Sequence, residues 1–216
     1  MNQEQEGRSI MKIPEATIRR LSTYIRVLDS LEKKSTEVIS SGELSTLCGY
    51  NSAQIRKDLA YFGEMGVRGV GYYVSELKHE IEHIMGLKNI WNVALIGVGN
   101  LGHALISYNG FRKSGFHVRL AYDRDENKLT GLPPEIQPVT CIEQLGESLR
   151  KQKIQIGIIA VPPDSAQNVA NLLTSNGIQG ILNFTPMRIK VPDNVKVKYV
   201  DFTIELETLA FYLSKK

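Results

Sequence analysis

The amino-acid sequence predicts an α/β chain of two successive parts. An N-terminal winged helix–turn–helix domain leads into a Rossmann-type domain, a doubly wound parallel sheet with a further C-terminal helix. Three observations predict it. Apolar residues recur at three- and four-residue steps through residues 18–62 and give way to a glycine-alternating stretch. From Asn92 onward, apolar strand-like runs alternate with helical patterns. Where the first of those runs ends stands Gly97-Val98-Gly99-Asn100-Leu101-Gly102, the spacing of a dinucleotide-binding turn. The expected boundaries are a polar tail over 1–12, the winged helix over 13–86, the sheet domain over 87–200 and the last helix over 201–216.

Composition sets the outer limits. At 216 residues and 42% hydrophobic, the chain can bury two cores. No apolar run reaches the length of a membrane span, and residues 1–12 hold no signal-like apolar core, so a soluble cytoplasmic protein is expected. The only cysteines, Cys48 and Cys141, stand 93 positions apart, which leaves no CxxC pair and no metal-ligand cluster. A net charge of +3 and a pI near 8.8 hint at a polyanionic partner. Divided, the hint fades: residues 1–90 carry 12 basic against 12 acidic side chains, and residues 91–216 carry 14 against 11. Any nucleic-acid reading must rest on local arrangement.

In the first part, Pro14 suits the opening of a helix and Glu15 its positive end. Ile18, Leu21, Ile25, Leu28 and Leu31 then form an apolar stripe opposite Arg19, Arg20 and Arg26. Ser40 and Glu43 have the spacing of a capping box for a short second helix that stops at Gly49. Ser52 is placed to cap a third helix, "AQIRKDLAYF", which Gly63 closes. On that helix Ile55, Leu59 and Phe62 face inward, while Gln54, Arg56 and Lys57 point elsewhere. Gln can read adenine, Arg can read guanine, and Lys can meet base or phosphate. A solvated polar face on an ordinary three-helix bundle is the alternative. The following "MGVRGVGYYV" reads as a hairpin with a basic, glycine-rich tip, and a hairpin directly after a helix–turn–helix is a wing. Ser75 is placed to cap a fourth helix with the stripe Leu77, Ile81, Ile84 and Met85, stopped by Gly86. His79 and His83 lie on its surface without further ligands nearby, so no metal is expected.

In the second part, Val93–Ile96, Val118–Tyr122, "IQIGIIAVP", "IQGILNF" and "VKVKYVDF" read as buried-type strands. Helices are expected from Leu101 to Tyr108, from a cap at Thr140, over "PDSAQNVANLLTSNG" and from Ile204 to Leu213. Gly97 would permit the tight turn, Gly99 the approach of a diphosphate, and Gly102 close helix–strand packing. Asp123 ends the second strand 21 residues beyond Gly102, where an acid bonds an adenosine ribose and repels a 2′-phosphate. NAD(H) is the expected cofactor, with Arg124 as a counterweight. A dehydrogenase would also need a proton donor, an anchoring charge and a second wall, and the back of the chain has no residues left for them. Two readings from other classes stay open: a small NAD-dependent oxidoreductase, and a module for another adenine nucleotide such as coenzyme A.

Taken in order, "SAQIRKDLAYFG", "RGVGY", "GVGNLG", "AVPPDSAQ", "ILNFTP" and "VDFTIELETLAF" closely resemble the Rex family of bacterial redox-sensing repressors, from about Met11 to the carboxyl end. The resemblance implies a homodimer whose C-terminal helices are exchanged. It also implies binding to palindromic double-stranded operator DNA, and release when NADH replaces NAD+. It places Ser52, Gln54, Arg56, Lys57, Tyr61, Arg68, Gly69, Gly71 and Tyr72 on DNA. It places Gly97 to Gly102 and Asp123 on the adenine half of the cofactor, and Tyr108, Val161-Pro162 and Asn183-Phe184 toward the nicotinamide. Arg26, Tyr108 and Asp201 match positions that link nicotinamide state to domain orientation. The stretch "DRDENKLTGLPPEIQPV" departs from the family's more glycine-rich DxD pattern, which leaves contacts beyond Asp123 open.

A cofactor can move such a dimer only through its differential affinity for two arrangements. A near-complete swing takes about 5 kcal/mol. If an Arg26–Asp201 pair forms in one state only, Arg26→Ala should blunt NADH-dependent release from DNA. A gel-shift titration with NADH that finds full release in the variant would remove Arg26 from the switch.

Overall fold

The structure, a computed structural model, describes residues 13–215; the polar tail read over 1–12 lies outside the described residues. The chain divides into two compact units, the first ending at Lys88 and the second running from Asn89.

The first unit is built from α1 (Glu15–Glu32), β1 (Val38–Ile39), α2 (Ser41–Cys48), α3 (Ser52–Ala60), β2 (Tyr72–Tyr73) and α4 (Val74–Ile84). The capping box forms as the spacing predicts. Glu43 N–H donates to Ser40 Oγ at 3.1 Å, Ser40 N–H donates to Glu43 Oε2 at 2.8 Å, and Gly49 closes α2 in the left-handed region. Other caps fall one residue from expectation. Pro14 is the N-cap of α1 rather than its first residue. Asn51, whose Oδ1 accepts from Ala53 N–H in an Asx turn, caps α3 in place of Ser52. Tyr73 precedes α4, so Ser75 sits inside the helix.

The stripe on α1 is also rotated. Thr17, Leu21, Tyr24 and Leu28 are buried, whereas Ile18 is exposed. The cause is a polar group in the core. Asp58 of α3 is fully buried, and both of its oxygens are taken up by α1. Arg20 donates to it twice, Nε to Oδ2 at 2.6 Å and Nη2 to Oδ1 at 2.7 Å. Tyr24 Oη donates at 2.8 Å and Thr17 Oγ1 at 3.0 Å. Turning this face inward sends Ile18 outward. Toward the C-terminal end of α1, Lys78 of α4 bridges Glu32 and Asp29, and these carboxylates push its pKa up to about 12. The rest of the core is apolar, with Leu44, Ile55, Leu59, Val74, Leu77 and Ile81 at its centre.

The wing differs from the hairpin expected. Val67 and Gly71 form a single antiparallel bridge around Arg68-Gly69-Val70, and β2 pairs not with the wing's own first arm but with β1. Gly71 has a φ of +114°, and a Cβ there would meet Ile39 O at 2.5 Å, so this close crossing demands glycine.

The second unit contains β3 (Trp91–Ile96), α5 (Asn100–Ile106), α6 (Asn109–Lys113), β4 (Phe116–Tyr122), β5 (Gln137–Val139), α7 (Ile142–Lys151), β6 (Ile156–Ile159), α8 (Pro163–Ser175), β7 (Gly180–Asn183), β8 (Lys196–Tyr199) and α9 (Phe202–Leu213). All strand pairs are parallel, in the order β5-β4-β3-β6-β7-β8, which is the Rossmann arrangement. Strand alternation divides the core in two. Ala94, Ile96 and Ile159 pack under α7 and α8, while Val93, Leu95 and Ile158 pack toward α5 and α6. The sequence did not reveal β5, whose central Pro138 is tolerated because this strand is the sheet edge. That extra strand moves the α7 cap from Thr140 to Cys141. The expected single helix after the glycines is two, and Tyr108 is the N-cap of α6 rather than part of the helix that the turn opens.

The buried carboxylate links the first unit's stability to pH. Burial pushes the Asp58 carboxyl up, but the bonds from Arg20, Tyr24, Gln54 and Thr17 outweigh it and hold it at about 2, against an ordinary 3.8. This group thus contributes about 2 kcal/mol that is complete above about pH 4 and lost as the pH falls toward 2. Arg20→Ala should cost about 3–5 kcal/mol at neutral pH, because it leaves the charge buried and uncompensated. In that variant the bonds from Tyr24, Gln54 and Thr17 remain but the opposing charge is gone, so the Asp58 pKa rises and its contribution to the pH slope shrinks. Urea melts of wild type and variant at pH 3 and pH 7 check both points.

Candidate functional site

Two sites emerge, one in each unit. In the second unit, a cleft of about 570 Å³ opens at the carboxyl ends of β3 and β6, the point where the sheet order reverses. It brings together Gly97, Gly99, Asn100, Leu101, Asp123, Val161 and Pro162, all of them residues that the sequence analysis singled out. The glycines divide their work as their spacing implies. Gly97 has a φ of +99°, and a Cβ there would lie 2.3 Å from Ala160 O on the neighbouring strand. At Gly102 a Cβ would lie 2.3 Å from Gly97 O, so α5 can pack only with glycine there. Nothing lies within 4 Å of a Cβ at Gly99, which faces the open cleft. The first N–H groups of α5 have no acceptor within the helix, as geometry requires.

Asp123 is nearly buried and already occupied. Its Oδ2 accepts from Val98 N–H at 2.9 Å, its Oδ1 accepts from Asp125 N–H at 3.0 Å, and Lys128 Nζ stands 3.6 Å from Oδ1. The carboxylate therefore ties the glycine turn to the end of β4 while one side faces the cleft. Val98 itself is buried and serves only through this N–H. Lys128, Tyr122, Ile142 and Leu145 also line the cleft, and sequence reasoning missed them. Lys128 falls in the segment that departs from the family pattern. Ile142 and Leu145 could be placed only by knowing of β5.

Of the residues expected toward the nicotinamide, Val161 and Pro162 line this cleft, while Asn183, Phe184 and Tyr108 do not. Asn183 is fully buried and spent on its own loop: Oδ1 accepts from Thr185 N–H and Oγ1–H, and Nδ2 donates to Met187 O. Phe184 is half-buried, with its ring 6.2 Å from that of Phe202. Tyr108 is exposed beside Phe111. Asp201 caps α9 by accepting from Thr203 N–H at 2.9 Å, and Arg26 is exposed on α1.

In the first unit, a groove of about 720 Å³ runs between α3 and the wing. It brings Arg56, Arg68, Gly69 and Gly71 together, with Arg56 Nη1 donating to Ser41 Oγ at 2.8 Å. Lys57 is exposed on the same helix, Ser52 is half-buried, and Tyr61 is half-buried against Phe62. Tyr72 also lines the groove, but it is largely buried, with its ring packed beneath Gly66 as part of the core. Gln54 is half-buried and donates from Nε2 to Asp58 at 2.9 Å. Among the described residues no cluster of three or more potential metal ligands occurs, and no helix is long and apolar enough to cross a membrane.

Known proteins match both halves. A family described as "Putative DNA-binding protein N-terminus" covers residues 12–60, and one described as "CoA binding domain" covers residues 88–187. The redox-sensing transcriptional repressor Rex of Syntrophobacter fumaroxidans is 49% identical over 203 residues, covering 94% of this chain and 97% of its own length. Its counterpart from Carboxydothermus hydrogenoformans is 48% identical over 204 residues, covering 94% and 98%. The chain belongs to the Rex family. A crystal structure of the repressor RSP with NAD+ and operator DNA matches with a TM-score of 0.88 at 39% identity, covering 94% of this chain and 93% of RSP. RSP with NADH matches at 0.83 and 38%, covering 94% and 95%. RSP is itself described as a Rex-family repressor, so the family is one of DNA-binding regulators rather than enzymes.

The glycine geometry separates structure from binding. Gly97→Ala and Gly102→Ala should each cost the second unit about 3 kcal/mol or more through strain and overpacking. Gly99→Ala, at an ordinary φ with open space, should leave its melting temperature within about 2 °C. Calorimetric melts of the three variants test the division.

Proposed function

We propose that this chain is a redox-sensing repressor. It binds a palindromic operator as a homodimer through the α3–wing groove, and is released when NADH replaces NAD+ in the Gly97 cleft. One observation carries the reading: a basic groove and a dinucleotide cleft occur in the same chain, each built as its chemistry requires. The match to RSP in complex with both NAD+ and operator DNA supports it. Arg56 and Lys57 would meet bases and phosphates, with Ser52, Gln54 and Tyr61 along the same helix. Arg68 with Gly69 and Gly71 would enter a minor groove, where narrow width concentrates negative potential.

In the cleft, Gly99, Asn100 and Leu101 would present N–H groups to the diphosphate, with Asp123 at the ribose. Val161 and Pro162 would continue the wall toward the nicotinamide. The match to a CoA-binding family describes the same turn, but Asp123 facing the cleft favours a ribose with a free 2′-hydroxyl. Asn183 would act indirectly, by fixing the loop that carries Phe184. The exposed apolar face of α9 supports a homodimer with exchanged C-terminal helices, and Arg26, Tyr108 and Asp201 would register the nicotinamide state across it. A DNA-bound regulator of this kind would work in the cytoplasm, on the chromosome.

The decisive experiment is selection from a random duplex library with no cofactor, with NAD+ and with NADH. A palindrome should be enriched in the first two conditions and lost in the third. Enrichment in none of them would end the DNA reading, and substrate-dependent NADH turnover would then favour an oxidoreductase. Gly99→Ala should keep the DNA preference while losing NADH-dependent release.

A further inference from the structure

The buried carboxylate in the first unit has a partner that the fold does not require. Thr17, Arg20 and Tyr24 of α1 already tie Asp58 to the neighbouring helix, yet Gln54, one turn earlier on α3, also donates to it. Asp58 accepts on Oδ1 from Thr17, Arg20 and Gln54, and on Oδ2 from Arg20 and Tyr24. A carboxylate held ionised by an arginine can only accept, so Gln54 must offer it nitrogen and not oxygen. An amide is ordinarily free to turn over and exchange its two ends. Here the exchange would set the Gln54 carbonyl against a buried anion.

We infer that Asp58 is a positioning residue for sequence reading: it locks the Gln54 amide in one sense and thereby fixes the polarity of the base pair that Gln54 selects. The inference rests on α3 being the DNA-reading helix. With Nε2 anchored, the amide keeps one N–H donor and the acceptor Oε1, which takes no hydrogen bond from any described residue. Adenine offers the matching pair in the major groove, an N6–H donor beside the N7 acceptor. For a helix docked in one direction, a locked amide meets that pair on one strand only. A free amide could turn over and accept the mirror arrangement. Asp58 therefore converts a preference for an A·T pair into a preference for A·T over T·A. The arrangement also costs little entropy on binding, because the side chain is already held.

The test is the same library selection, run on wild type, Gln54→Ala, Asp58→Asn, the double variant and Tyr24→Phe. Wild type should prefer A·T over T·A at one position in each half-site by about tenfold or more. Gln54→Ala should lose that preference. Asp58→Asn, which gives Gln54 a neighbour able to donate or accept, should lose the polarity. The double variant should match Gln54→Ala alone. Tyr24→Phe should lower the melting temperature and keep the preference. Retained polarity in Asp58→Asn, or a uniform loss of affinity for every sequence, would overturn the inference.

Should Asp58→Asn fail to fold, the wild-type protein still decides. NMR should find one Gln54 side-chain amide hydrogen slow to exchange with solvent, and two fast ones would overturn the assignment. If wild type enriches no sequence at all, the DNA reading itself fails and the inference falls with it.

Discussion

The bond from Val98 N–H to Asp123 Oδ2 holds the second unit's site in shape. It joins the turn after β3 to the residue that follows β4, just beyond the last backbone bond between the two strands, Gly97 N–H to Tyr122 O at 2.8 Å. Without it, the Gly97 N–H bond to Tyr122 O would still hold the start of the turn, but Val98 would lose its tie to the end of β4. The same carboxylate borders the cleft, so one group both builds the floor and meets what lies on it. Economy of this kind has a cost. Asp123 cannot be exchanged to alter ligand choice without also loosening the turn, whereas Lys128 at the rim touches that turn only through its ion pair with Asp123.

The first unit is organised by opposite means. Its core contains an ionised carboxylate, and burial of a charge is unfavourable unless every acceptor site is used. Here two helices supply all the donors, so the angle between α1 and α3 is set by hydrogen-bond directions rather than by side-chain volumes. Apolar packing tolerates sliding by fractions of an ångström, while a two-pronged arginine–carboxylate contact does not. A helix that must present the same face to a partner each time gains from being held in this way. The second unit, whose task is to enclose a ligand, relies instead on a sheet with two apolar faces.

Much of this was legible in the sequence, because the signals were local. The capping box at Ser40, the proline and glycine bounding α8, and the spacing of Gly97, Gly99 and Gly102 each report backbone requirements that few other residues satisfy. The signals that failed were those set by distant partners. Ile18 had the right spacing for the α1 stripe, but Asp58, forty positions later, determined which face turned inward. Tyr72 lines the α3–wing groove as its motif suggested, but its pairing through β2 with β1, which leaves its ring mostly buried, had no local signal. A three-residue edge strand with a central proline has no periodicity to detect, and missing β5 hid that Ile142 and Leu145 of α7 line the cleft. Asn183 stood at the right strand end, but nothing local revealed that its amide was already committed to Thr185 and Met187.

The last helix carries a consequence for how the protein behaves in a cell. In α9, seven large apolar side chains, from Phe202 to Leu213, are each more than half exposed in the single chain. On the dimer reading those side chains are covered only after two chains meet, so part of the folding free energy is collected in a bimolecular step. Stability then rises with the protein's own concentration, and dilution acts like a destabilising mutation. A newly made chain with no partner would display this surface to chaperones and proteases. The abundance of the regulator would thus be held above a floor by its own architecture.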